Sequence, residues 1–222
     1  MNQGLDKQDG LWACQLVVAR GGAAYLIGYV LVVATMYSTA DILYPQSNAL
    51  YLTTALIGWI LGYVLLALLM RTGSKEREAM PGGIAGYFGM SVLTSIAISV
   101  GLVLLVLPGL YLMMRWLPAF ARLYSSGGGV VEALGWSWRQ TVPIQKALGL
   151  AMIPALAPYV VIIVLGLSSE EAYASGRFAL YDLLFVGINI CISISVAWLQ
   201  LLGVAAYRLI EREPEELVET FS

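Results

Sequence analysis

Residues 101–116 read GLVLLVLPGLYLMMRW, a Pro-Gly step inside an apolar run with an arginine seven residues after the proline. From Ile84 to Tyr124 the chain is almost uniformly apolar, about 41 residues or roughly 60 Å as one helix. That is about twice the hydrocarbon thickness of a bilayer, so the chain has to reverse within it. Pro108 and Gly109 are the available structural turn, because proline lacks the donor a continuing helix needs and glycine tolerates turn geometry. A turn there makes residues 110–124 a short span of their own.

Counting outward gives an all-α fold, a polytopic membrane helix bundle with six transmembrane helices. The spans fall at about 21–40, 50–70, 84–107, 110–124, 147–167 and 178–207, within a single membrane domain, 1–222. Residues 5–20 carry Trp12 and Leu16 on one side of a helix and charge on the other, and Gly21 and Gly22 break that pattern. Residues 130–141 repeat it, with Trp136 and Trp138 of the kind that sits at headgroup level. Both are expected to be interfacial amphipathic helices. Residues 38–49, STADILYPQSNA, and 168–177, SSEEAYASGR, read as polar loops, and residues 71–80, RTGSKEREAM, as a solvated loop.

Composition demands a membrane solution. Hydrophobic residues make up 59% and charged residues 12% of 222, too apolar a balance to hide inside a globule of this size. A net charge of −2 offers no basic field for nucleic acid. There is no histidine, and the two cysteines, Cys14 and Cys191, have no metal-pair spacing, so no metal or cofactor is expected. Charge bias sets orientation. With a cytoplasmic N-terminus, Lys7, Arg20, Arg71, Lys75, Arg77, Arg122, Arg139, Lys146, Arg208 and Arg212 lie inside and Arg177 outside, as the positive-inside tendency asks. Without the turn, everything after it would flip. Both termini are therefore expected in the cytoplasm.

Few residues suggest chemistry. Arg115 stands within the fourth span, where a guanidinium costs at least a few kcal/mol unless it pairs, snorkels or meets water. Either it contacts a lipid phosphate or anionic ligand, together with Arg122 seven residues on, or it is structural and bonds carbonyls. Asp182 is a candidate partner from depth alone. Ser91, Ser95 and Ser99 recur every four residues on one helix face, and Asn189 and Ser193 share another. Such faces mark either helix packing or a polar pathway. Gly58 and Gly62, four apart, invite close helix packing. No paired carboxylates, histidine base or nucleophile elbow occurs in the spans, so no catalytic residues are expected.

The stretches Leu107-Pro108-Gly109-Leu110-Tyr111-Leu112, Arg115-Trp116, Glu132-Ala133-Leu134 and Ser137-Trp138-Arg139 with Thr141 resemble an uncharacterised bacterial family of integral membrane proteins, the YciC-like family. That family is in turn similar to the membrane domain attached to some glycerophosphoryl diester phosphodiesterases. Val142-Pro143-Ile144-Gln145-Lys146 departs from the family, which often continues with a glycine and a basic residue. The soluble catalytic domain of the phosphodiesterases has no counterpart here, so their activity does not carry over. The resemblance implies a six-span inner-membrane protein tied to envelope or lipid homeostasis. A non-enzymatic accessory or scaffold protein is expected, with membrane lipids and a membrane protein as partners. The alternative is a lipid or small-solute carrier with a polar cavity around Arg115.

Overall fold

The computed structural model describes the backbone of residues 3–44, 47–72 and 83–221, and side chains within 7–44, 47–72 and 83–211. The part of the expected 71–80 loop from residue 73 onward, with Lys75 and Arg77, lies outside the described residues, as does the Arg212 side chain. Among the described residues every regular element is helical: α1 (Gln3–Leu43), α2 (Asn48–Arg71), α3 (Ile84–Leu104), α4 (Val106–Trp116), α5 (Ala119–Ser126), α6 (Val130–Gln140), a single 3-10 turn (Val142–Ile144), α7 (Gln145–Ala174) and α8 (Phe178–Phe221). Five stretches are long and apolar enough to cross a membrane: Lys7–Leu43, Asn48–Arg71, Ile84–Leu104, Val142–Ala174 and Phe178–Glu211. Their outward residues are apolar too, with Leu31, Leu52, Val160 and Ile163 each more than 60% exposed. Such surface is stable only against lipid. The chain is a membrane protein.

Several expectations are corrected. Gly21 and Gly22 do not end a surface helix, because residues 5–20 form the first part of the 41-residue α1. The glycines instead admit α2: a Cβ at Gly22 would lie 2.6 Å from Leu69 Cδ2, and one at Gly21 would lie 3.2 Å from Thr72 Cβ. Polar stretches that read as loops are mostly helical, since α1 continues to Leu43 and α7 to Ala174. The reversal after α3 falls at Leu105, whose backbone is extended (φ −160°, ψ 132°), rather than at Pro108 and Gly109. Pro108 sits in the first turn of α4, where its missing N–H costs nothing because α4 has no carbonyl four residues before it to receive one. Gly109 is a packing residue: a Cβ on Gly101 would lie 2.9 Å from Gly109 Cα, so two glycines let α3 and α4 close into a hairpin.

The expected fourth span, 110–124, is two short helices. At the break, Pro118 caps α5 and cannot donate the bond a continuous helix would need. Gly127, in the left-handed conformation (φ 62°), ends α5. At about 16 Å and 12 Å, neither piece crosses a bilayer alone.

The chain divides into two compact units. Unit 1 is Met1–Gly22, Leu66–Met152 and Gln200–Ser222, and unit 2 is Ala23–Leu65 and Ile153–Leu199. Helices α1, α2, α7 and α8 contribute a part to each. In unit 1, Met90, Ala119, Leu123, Ala133 and Leu134 form a core from α3, α5 and α6, flanked by Trp116, Phe120 and Val130. Gly203 of α8 packs on the α4–α5 break, where a Cβ would lie 2.7 Å from the Leu117 carbonyl oxygen. In unit 2, Gly58 of α2 accommodates the Tyr37 ring of α1, with a Cβ position 2.8 Å from the tyrosine hydroxyl.

Candidate functional site

Unit 1 brings together two stretches that sequence alone leaves 23 residues apart. Helix α6 is amphipathic, burying Ala133, Leu134 and Ser137 while Trp138 stays 39% exposed. The buried face meets the last turn of α4. The Ser137 hydroxyl donates to the Arg115 carbonyl at 2.6 Å, and Arg115 Nη2 donates to the Trp138 carbonyl. The two bonds run in opposite directions between the same residues' neighbourhoods, so helix and arginine are fixed reciprocally. Thr141, fully buried, donates to the Ser137 carbonyl at 2.8 Å and closes the end of α6.

Arg115 is only 2% exposed. Its guanidinium carbon lies 4.6 Å from the Trp138 ring centroid and 5.8 Å from that of Tyr111. The two rings meet edge-on at 5.8 Å. Among the described residues Nε and Nη1 have no hydrogen-bond partner, and the guanidinium lies against the two rings. Where Asp182 was a candidate partner, the guanidinium has a main-chain carbonyl and two aromatic rings.

Arg122 repeats the arrangement one heptad on. Its guanidinium carbon lies 5.2 Å from the Trp136 ring, and Nη1 pairs with Glu211 Oε1 at 3.0 Å. Trp136 is tilted against Tyr207, with centroids 5.7 Å apart, and the Tyr207 hydroxyl shares a 2.6 Å bond with Ser125. Two arginines seven residues apart thus lie on the two tryptophans of Trp136-Ser137-Trp138. Arg208 Nη2 donates to the carbonyls of Leu69 and Met70 at 3.0 and 3.1 Å, in the last turn of α2. Sequence reasoning missed Arg208. An arginine at the end of a span is an ordinary sight, and nothing local names its acceptors.

The serine face does not join this cluster. Ser95 and Ser99 are exposed and Ser91 is half-buried, while the buried Thr94 hydroxyl of α3 donates to the Met90 carbonyl at 2.8 Å. Gln200 of α8 donates to the Tyr87 hydroxyl at 2.9 Å. Gly62, like Gly58, is buried.

Asn189 and Ser193 belong to unit 2 and are buried there. Asn189 Nδ2 donates to Asp41 Oδ2 at 2.9 Å and to Ser38 Oγ at 3.3 Å, tying α8 to the last turns of α1. Ser193 turns inward on its own helix and donates to the Asn189 carbonyl at 2.8 Å. Both line a cavity of about 470 Å³ whose wall also holds Tyr29, Tyr37, Asp41 and Phe185. Asp41 escaped sequence reasoning because it sits in what reads as a loop, STADILYPQSNA, and only the continuation of α1 to Leu43 turns it inward.

Among the described residues no three Cys, Asp or Glu side chains group so as to hold a metal ion. Comparison with protein-family models, with curated proteins and with solved structures returns no match.

Proposed function

We propose that this chain is a non-enzymatic accessory or scaffold protein of a bacterial cytoplasmic membrane, linked to envelope or lipid homeostasis. One observation carries the reading: the arginine that stood out as a ligand contact is enclosed at 2% exposure and engaged by α6, leaving a phosphate no edge to approach. Its role is to hold α4 against α6. A carrier built around Arg115 loses its centre for the same reason, and the Asn189 and Ser193 face belongs to the other unit. The link to lipid homeostasis rests on the YciC-like resemblance, two of whose stretches, Arg115-Trp116 and Ser137-Trp138-Arg139, meet in the structure.

In topology we favour six passages with both termini cytoplasmic. Helix α3, about 31 Å long, goes out, and α4 with α5 returns as a passage broken at Pro118. Ten of the twelve Lys and Arg residues, all but Arg115 within a span and Arg177, fall on the cytoplasmic side of that layout, which supports that orientation. The hairpin tip is apolar, with Val103 86% and Leu107 78% exposed, which suits a turn held at the headgroup boundary.

Native mass spectrometry of wild type and Arg115→Gln with co-purifying lipids tests the role of the arginine. Loss of folded yield with only exchangeable bulk lipid in both proteins is expected. A phospholipid class that stays on wild type and leaves a well-folded variant would overturn it. Cysteine labelling at Leu107 tests the topology: reaction from outside is expected, and protection from both sides would make the hairpin re-entrant.

A further inference from the structure

Unit 2 contains a site that the scaffold reading does not use. Its cavity of about 470 Å³ lies within the range of small-ligand pockets. Four aromatic residues, Tyr29, Tyr37, Tyr51 and Phe185, line it together with Asp41. A second recess of about 100 Å³, lined by Tyr44, Ser47 and Asn48, shares Asp41 and Tyr51 with it. Asp41 therefore borders both spaces.

Three observations specify the charge of what fits. Asp41 lies in the last turn of α1, whose final turn carries no basic residue. There the negative end of the helix dipole opposes a carboxylate and favours a cation. Among the described residues no Lys or Arg pairs with Asp41, and its side-chain hydrogen bond is with the Asn189 amide at 2.9 Å. Unit 2 as a whole holds four carboxyl groups, Asp41, Glu170, Glu171 and Asp182, against the single basic residue Arg177, which already pairs with Glu171 at 3.6 Å. The aromatic rings narrow the choice further, because π-faces attract a soft, weakly hydrated organic ammonium. A small inorganic ion would instead ask for a cage of oxygens.

We infer that the Asp41, Asn189 and tyrosine cavity of unit 2 binds an alkylammonium cation. Asp41 supplies the counter-charge, Asn189 holds the carboxylate in place, and the rings of Tyr29, Tyr37, Tyr51 and Phe185 enclose the substituted nitrogen. The ammonium belongs either to a free organic cation or to an aminophospholipid headgroup. The inference does not depend on the scaffold role of unit 1.

The test uses the full-length protein in detergent, titrated calorimetrically with tetramethylammonium chloride against sodium chloride, alongside native mass spectrometry with phosphatidylethanolamine and phosphatidylglycerol. Asp41→Asn keeps the shape of the side chain and its bond to Asn189, and its thermal midpoint shows that it folds; Tyr37→Leu provides a second variant. Saturable tetramethylammonium binding that weakens about tenfold or more in Asp41→Asn assigns a free cation. Retention of phosphatidylethanolamine over phosphatidylglycerol by wild type, lost in Asp41→Asn, assigns a lipid headgroup. Binding of neither probe, or binding that a folded Asp41→Asn and a folded Tyr37→Leu both leave unchanged, overturns the inference.

Discussion

Arg115 and Asp41 are the most instructive pair of side chains in this protein, because the chain treats one as a fastener and leaves the other facing a space. Arg115 is sealed at 2% exposure, with a carbonyl on one nitrogen and two aromatic rings beside it. Asp41 is half-buried, held by one amide and open to two cavities. A group of charged type inside a membrane protein is costly in either setting. Where neighbours close around it, the return is a fixed helix contact. Where they leave room and give no counter-charge, the return has to come from a ligand.

The contrast is broken first at Arg115. Arg115→Ala should destabilise unit 1 by about 3 kcal/mol, since it strands the Trp138 carbonyl and empties a packed site. Thermal unfolding in detergent and folded yield read the loss. Arg115→Lys should recover little, because an ammonium does not lie flat on Trp138. A variant as stable as wild type would remove the fastener role. Next comes Gly203→Ala, expected to cost about 2 kcal/mol, because its methyl group would sit 2.7 Å from a main-chain oxygen that has nowhere to go. An unchanged melting point would mean that α4 and α5 tolerate a wider gap from α8.

Asn189→Ala sharpens the other side. It removes two hydrogen bonds in unit 2 and should lower stability by about 1 kcal/mol, less than Arg115→Ala, while freeing the Asp41 carboxyl group. If it proves the more damaging of the two, Asp41 and Asn189 are the fastener and the contrast inverts. Arg122→Gln should cost less than about 1 kcal/mol, because its ion pair with Glu211 is partly exposed and its effect should fade in high salt. Ser99→Ala should fall within about 0.5 kcal/mol of wild type, as Ser99 is exposed. A larger loss in lipid than in detergent would place a partner on that face.

Much of the architecture was legible because it follows from local chemistry. Apolar runs of span length marked α2, α3, α7 and α8, and the amphipathic pattern with its tryptophans marked α6. The need for a reversal between Ile84 and Tyr124 was plain from length, whereas its place was not. Proline and glycine suit a turn, yet both also suit the first turn of a helix and a glycine-to-glycine contact, and only the packing of Gly101 on Gly109 distinguishes these. The interruption at Pro118 was written in the sequence but hidden by the apolar residues around it. Gly21 and Gly22 looked like a break for the opposite reason, since small residues weaken a helix in isolation and serve one packed against Leu69 and Thr72.

By itself, then, the sequence determined that this is a helical membrane protein with an arginine too deep to be idle, because hydropathy and helix length are sums over neighbours in the chain. Tertiary structure alone decided that Arg115 meets Trp138 and that Asp41 meets Asn189. Those pairs are 23 and 148 residues apart, and no local pattern carries the identity of a partner that another helix brings.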